Sequence, residues 1–415
     1  MIRDERRFAP DGRPRARGLR IPFSGTPGPV NAITDVPGVS VGYVTLVHGE
    51  GPLVVGSGPV RTGVTAIMPR GADGVGVPCA AGWFSLNGNG ELTGTTWIEE
   101  VGALDVPIVI TNTHAVGACH QGTLTWAVRS APLVTAQWML PVVAETWDGY
   151  LNDINGGHVL PAHAMAALDA AKGGPVQEGS VGGGTGMICY GYKGGSGTAS
   201  RVLPYAGARY TVGAFVQANF GDRPELTIAG VRLGRLLAAD DPLGEPSWLQ
   251  TDAERAEAPP RSASSGSTGR SVVPGAGSVI VVVATDAPLL PGQCTALARR
   301  VPLGLARTGT TGSHFSGDIF LAFSTANRGA LASRIPVEPP TDDDYDRLTF
   351  LPWGRMDPLF AAVVECVEEA VLNALVVNSE MVGRDGHRVP ALPHVPVLAA
   401  LADAGVIGDG EGVRP

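Results

Sequence analysis

A layered α/β protein is the fold class this 415-residue sequence predicts, and three observations predict it. Short runs of β-branched and aromatic residues recur along the whole chain, broken by 58 glycines and 34 prolines, which is the punctuation of a large sheet system. Segments with helical spacing alternate with those runs, a pattern that builds sheets covered by helices. One run, Val279 to Val283, is β-branched throughout, and a strand apolar on both faces must be covered on both.

In chain order, strands are expected at VSVGYVTLV (39–47), VPIVIT (106–111), YTVGAFVQANF (210–220), SVIVVVAT (278–285) and DIFLAFST (318–325). Helices are expected at Gln121 to Val128, Ala162 to Ala171 and Gln293 to Val301, where apolar residues fall on one helical face. The clearest helix is DPLFAAVVECVEEAVLNAL, Asp357 to Leu375, with Asp357 as N-cap, Pro358 at the first helical position and a sustained apolar stripe.

Hydrophobic residues make up 44% of the chain, enough for a sizeable core. Charged residues are 17% and the formal net charge is −9, which argues against nucleic acid as a partner, since a phosphate-tracking surface needs clustered Lys and Arg. Lys172 and Lys193 are the only lysines, so mechanisms built on a lysine base or Schiff base have almost no candidates. Five dispersed cysteines, none in a C-x-x-C pair, read as reduced thiols. The basic N-terminus lacks a following apolar core and no stretch approaches 18 apolar residues. A cytoplasmic protein with no membrane partner is expected.

One segment differs from the rest. Residues 238–277 are rich in Pro, Ser, Gly and Ala with little periodic hydrophobicity, the composition of a mobile connection. A domain boundary is the plain reading. Against it, residues 278–415 alone would have to cover both faces of the VIVVV strand, which favours one co-folded unit carrying a processing loop.

Most local motifs carry no chemistry. The glycines of GGGTGM (182–187) fit neither the P-loop nor the dinucleotide fingerprint. His114 and His120, and His158 and His163, lie six and five residues apart, not at the i, i+4 spacing of zincins, and TDDDYD (341–346) lacks the glycine and glutamate of a calcium loop. Neither metal nor cofactor is expected. There is no G-x-S-x-G pentapeptide for a Ser-His-Asp hydrolase.

Ser278 stands between a glycine-rich stretch and the VIVVV strand. It could simply begin that strand. Alternatively the chain is cut between Gly277 and Ser278, which places a hydroxyl and a free α-amine on one residue. Such an amine has a pKa of about 7.7–8.0 against roughly 10.4 for lysine, so it serves as a base without extreme tuning. The same hydroxyl could make the cut by attacking the Gly277 carbonyl, where no side chain hinders it.

Longer motifs favour the second reading. NAITDVPGVSVGYVTL (31–46), GNGELTGTTWIEE (88–100), ETWDGYLNDING (145–156), VGGGTGMICYGYKGGSGTASR (181–201), VQANFGDR (216–223), SVIVVVATDAPLLP (278–291), LARTGTTGSHFSGDIFLAFST (305–325) and GRDGHRVPALPH (383–394) together resemble the L-aminopeptidase/D-esterase family, which includes the β-peptidyl aminopeptidases. The resemblance implies a four-layer α-β-β-α sandwich made as a precursor that cleaves itself, into chains 1–277 and 278–415, and assembles as a homo-oligomer, commonly a tetramer of processed heterodimers. It puts the nucleophile on Ser278, orienting groups on Ser316 and Asp318, an oxyanion donor on Asn219 and the partner of the substrate's ammonium group on Glu145. Where studied relatives have a tyrosine supporting the oxyanion, this chain has Trp147, which donates through its indole N–H, with Tyr150 as the alternative hydroxyl.

The implied function is release of N-terminal L-, D- or β-amino acyl residues from short peptides, amides or esters through an acyl-enzyme on Ser278. Two other readings stand beside it: an acyltransferase of the ornithine acetyltransferase type, which uses threonine at the cut, and a non-catalytic binding protein on the same scaffold.

Overall fold

Strand alternation sorts the apolar residues of this chain into three cores, and the three cores define four layers. The computed structural model describes residues 4–132, 134–136, 138–238, 241, 277–336, 338–341 and 344–408. The expected mobile segment therefore falls almost wholly outside the described residues.

The first sheet holds β1 (Ser40–His48) and β2 (Val60–Met68). The chain then leaves it for β3 (Cys79–Ser85), helix α1 (Thr95–Val101) and the short β4 (Ala103–Leu104), and returns with β5 (Ile108–Asn112). Helix α2 (Val116–Ser130), β6 (Val142–Thr146) and helix α3 (Pro161–Asp169) follow. The hairpin β7 (Ile188–Cys189) and β8 (Tyr192–Lys193) precedes the long strands β9 (Gly195–Tyr205) and β10 (Ala208–Asn219). Beyond the undescribed segment come β11 (Gly277–Thr285), helices α4 (Pro291–Ala298) and α5 (Val301–Arg307), β12 (Ser316–Ser324) and helix α6 (Asp357–Val376). A small hairpin of β13 (Met381–Val382) and β14 (Arg388–Val389) and helix α7 (His394–Asp403) end the described chain.

Strand order is β1-β2-β5-β6 in one sheet and β4-β3-β12-β11-β10-β9 in the other. Along β11 the residues alternate: Ile280, Val282 and Ala284 enter the core between the sheets, whereas Val279, Val281 and Val283 enter the core beneath α6. The five β-branched residues of the sequence are thus shared between two cores, as a strand covered on both faces requires. A third core joins Val64, Val109 and Val143 of the first sheet to Trp126 of α2 and Ala164 of α3. The result is the expected α-β-β-α sandwich.

Strand β11 pairs with β10 on one side and β12 on the other, so residues on both sides of the 277–278 bond build one sheet and one core. Buried ion pairs cross the same division. Arg17 and Arg201 both bind Glu369 of α6 at 2.7 Å, and Asn31 donates to the same carboxylate at 2.6 Å. Each charge is paired, as burial demands.

Two expected helices differ in detail. Gln293 to Val301 is split between α4 and α5, with Pro302 in the first turn of α5, where its missing N–H costs nothing. Asp357 is the first residue of α6 rather than its cap and makes no capping bond, though its charge still suits the positive helix start.

Helix α6 lies so close on β9 that a Cβ at Gly197 would meet the Ala370 carbonyl oxygen at 2.0 Å. Gly197→Ala is expected to destabilise the protein by about 1–3 kcal/mol through overpacking, measured as a lower urea midpoint at unchanged slope.

Candidate active site

Ser278 is the second residue of β11, buried at 2% exposure, with Asn219 of β10 opposite it on one side and Gly317 of β12 on the other. The two sheets meet over it. The turn after β6 brings the main-chain N–H of Trp147 to 3.1 Å from Ser278 Oγ. Just before the serine, a Cβ at Gly277 would fall 2.2 Å from the Asn219 carbonyl oxygen, so this position accepts only glycine without moving the paired strand.

The Asn219 carboxamide is held at both ends. Ile188 N–H donates to its Oδ1 at 2.8 Å, and its Nδ2 donates to the Trp147 carbonyl at 2.9 Å. One main-chain donor and one main-chain acceptor leave a single orientation for the amide. Nδ2 carries two N–H groups, so one remains beyond the bond to Trp147.

Across the sheet, Ser316 pairs with Gly277 in register. Its hydroxyl donates to Asp318 Oδ1 in a short hydrogen bond. Asn87 supports the carboxylate: its Nδ2 donates to Asp318 Oδ2 at 3.0 Å and to the Ser313 carbonyl at 2.9 Å, while its Oδ1 accepts from Asp318 N–H at 2.7 Å. Burial pushes the Asp318 carboxyl above its usual range, partly offset by the bonds from Ser316 and Asn87.

Glu145 lies near the end of β6 and is buried at 2% exposure. Its Oε1 accepts from the Glu91 N–H at 3.0 Å, and its Oε2 accepts a short bond from the Thr113 hydroxyl. Among described residues no cation forms an ion pair with it. Burial pushes this carboxyl up as well, against the lowering effect of Thr113. The loop after β3 links the two carboxylates: a Cβ at Gly90 would lie 2.9 Å from Gly317 Cα and 3.2 Å from Glu145 Oε1.

The Trp147 ring turns back on its own loop, where a Cβ at Gly149 would meet it at 2.5 Å, and it packs against the cluster of Tyr150, Leu151, Ile188 and Val389. The Tyr150 ring stacks on His387 at 4.4 Å between centroids. The β13–β14 hairpin clamps this turn, with Arg384 Nε donating to the Gly149 carbonyl at 2.7 Å and His387 Nδ1 2.7 Å from the Tyr150 carbonyl.

Ser278, Asn219, Trp147, Ser316 and Asp318 are thereby brought together by the meeting of β6, β10, β11 and β12, and Glu145 joins them across Gly90. Asn87, Thr113 and the main-chain N–H of Trp147 were missed in the sequence. Asn87 stands one residue before the GNGELTG motif and could have been read with it; a main-chain donor has no sequence signal at all.

The glycine loop, His158 and His163 have structural partners. Gly182 and Gly183 give their N–H groups to Thr45 and Thr65, which locks the glycine loop onto the first sheet. His158 bonds Asp153 at 2.8 Å, and His163 accepts from the Leu160 N–H at 3.0 Å. All five cysteines are free and buried.

A serine at a strand head, opposite a fixed carboxamide and on the strand next to a Ser–Asp pair, with a buried carboxylate nearby, is a hydrolase geometry. The family model for peptidase family S58 matches residues 31–389. The chain belongs to peptidase family S58. The S58 chain is 48% identical to the β-peptidyl aminopeptidase BapA of Sphingosinicella microcystinivorans over 388 residues, covering 94% of this chain and 92% of that one. Its fold is similar to the L-aminopeptidase D-Ala-esterase/amidase of Ochrobactrum anthropi, described as a variant of the Ntn hydrolase fold, with TM-score 0.80, 44% identity and coverage of 94% and 99%. It is also similar to a β-aminopeptidase of Burkholderia sp., with TM-score 0.80, 43% identity and coverage of 97% and 100%. This S58 protein is a serine aminopeptidase of the N-terminal-nucleophile type.

Proposed function

We propose that this S58 enzyme cuts its own chain between Gly277 and Ser278 and then releases N-terminal residues, β-amino acyl residues included, from short peptides, amides and esters. The observation that carries the reading is Ser278 at the head of β11, its Oγ bonded by the Trp147 N–H and its neighbour across the ladder Asn219.

In the first reaction, Ser278 Oγ attacks the Gly277 carbonyl carbon, the C–N bond breaks, and its nitrogen takes the hydroxyl proton. Water opens the resulting ester, leaving a Gly277 carboxylate and a free Ser278 amine. In turnover that amine takes the Oγ proton as Oγ attacks the substrate carbonyl, then passes it to the leaving amine or alcohol. Water, losing a proton to the same amine, then attacks the ester, the Oγ–acyl bond breaks with the proton returned to Oγ, and the amino acid leaves. Asn219 Nδ2 and the Trp147 main-chain N–H stabilise the oxyanion. The Trp147 indole and the Tyr150 hydroxyl belong to the same wall as secondary candidates. Ser316 and Asp318 orient the hydroxyl and the ammonium form of the amine.

Glu145 holds the substrate's ammonium group, which limits the enzyme to free N-termini. Removing its charge by Glu145→Gln is expected to raise KM or lower kcat/KM for aminoacyl p-nitroanilides roughly 10- to 100-fold, the worth of one charge-assisted hydrogen bond. Falling pH protonates Glu145 and removes the anion that holds the ammonium; because burial raises this carboxyl, the loss begins at higher pH than for an ordinary glutamate. The part of the acid limb of the kcat/KM profile that Glu145 contributes should accordingly disappear in Glu145→Gln, leaving the limb set by protonation of the Ser278 amine.

The test of the whole reading is the intact mass of purified enzyme. Two chains, ending at Gly277 and beginning at Ser278, are expected; a fully active protein with that bond intact would overturn it. The family resemblance extends the reading to a homo-oligomer of processed pairs, which light scattering reads. Five free thiols support a cytoplasmic location.

A further inference from the structure

Lys193 is fully buried, and it is one of only two lysines in the chain. It stands directly across the β7–β8 hairpin from Ile188. Its ammonium donates to the Met187 carbonyl and to the Gly194 carbonyl, both at 2.8 Å. No carboxylate pairs with it among the described residues; burial pushes it down to about 7, and Cys189 and Asp148 pull it partly back. A lysine in such a place needs a reason, because burying its amine without an ion-pair partner is costly in the charged form.

The reason lies one peptide away. The Met187 carbonyl that receives the ammonium belongs to the same peptide unit as the Ile188 N–H, and that N–H donates to Asn219 Oδ1 at 2.8 Å. A hydrogen bond donated to the carbonyl withdraws electron density through the amide and makes its N–H a stronger donor, the more so when the lysine carries its extra proton. The stronger donor fixes Asn219 Oδ1 toward Ile188, and the opposite end of the carboxamide, Nδ2, is then turned to Trp147 and the nucleophile.

We propose that Lys193 is a positioning residue for catalysis: through the Met187–Ile188 peptide it locks and polarises the Asn219 carboxamide so that its Nδ2 is presented to the oxyanion. The proposal rests on Asn219 being the oxyanion donor. Lys193 touches no substrate, and it supplies neither a base nor a nucleophile.

A double-mutant cycle on processed, active-site-titrated enzyme tests it, with kcat and KM measured on an aminoacyl p-nitroanilide. Asn219→Ala alone is expected to lower kcat about 10²- to 10³-fold, and Lys193→Met alone on the order of tenfold with little change in KM. Combined, the two should cost no more than Asn219→Ala alone, because the lysine acts only through the amide. Multiplying effects would show a general packing role and overturn the proposal. An unchanged kcat in Asn219→Ala would instead remove the oxyanion assignment beneath it. Should Lys193→Met not fold, Lys193→Gln, which keeps a neutral donor, enters the same cycle with the same two outcomes.

Discussion

Ser278→Ala is expected to leave a single uncut chain and to lower activity on aminoacyl p-nitroanilides by a factor on the order of 10⁴ or more, as loss of a nucleophile does in other serine hydrolases. Both losses have one cause. In the proposed mechanism the hydroxyl that the Trp147 N–H holds at 3.1 Å opens the 277–278 bond and later attacks substrate, so removing it would also leave the nitrogen of residue 278 locked in a peptide bond, unable to act as base. The substitution removes one oxygen from a site where Asn219, Ser316 and Asp318 keep their own partners, so the variant should fold. Electrophoresis and intact mass read the first effect and progress curves the second. Two chains in the alanine variant would show that another group makes the cut.

Gly277→Ala is expected to slow self-cleavage about 10²-fold, although residue 277 contributes no functional group. A Cβ there would meet the Asn219 carbonyl oxygen at 2.2 Å and Phe220 Cα at 3.1 Å, main-chain atoms at and just past the end of the paired strand, which do not yield as a flexible side chain would. The end of the β10–β11 ladder must open, carrying the scissile carbonyl away from Ser278 Oγ. Displacement by about 1 Å suffices for a loss of that size. A time course of precursor conversion after rapid purification reads the rate. Conversion at the wild-type rate would show that the close contact with β10 plays no part. The chain that is eventually cut ends at this residue, so the mature enzyme should regain activity in proportion to the processed fraction.

Much of the architecture was legible because strand and helix patterns are local. The β-branched run at 279–283 demanded cover on both faces, and it divides between the core under α6 and the core between the sheets. Helix ends were less legible. One apolar stripe was read across Gln293 to Val301, yet Pro302 opens a second helix there. Asp357 looked like a cap, but it makes no capping bond in the first turn. Of the candidate site, Ser278, Asn219, Ser316, Asp318 and Glu145 are proposed from motifs, since each lies in a long and specific segment that resembles the family. Lys193 lay within such a motif too, but only its spatial tie to Asn219 gives it a role.

By itself, then, the sequence determined the alternation of strands and helices, the glycine–serine junction at the head of a strand buried on both faces, and the residue types available for chemistry. Tertiary structure alone decided which atoms meet. The Trp147 N–H reaches a serine 131 residues away, Asn87 braces an aspartate 231 residues away, and Asn219 is turned by a peptide 31 residues before it. Side-chain periodicity reports only which face a residue takes, whereas a hydrogen bond across the two sheets depends on how they stack and on where their strands end.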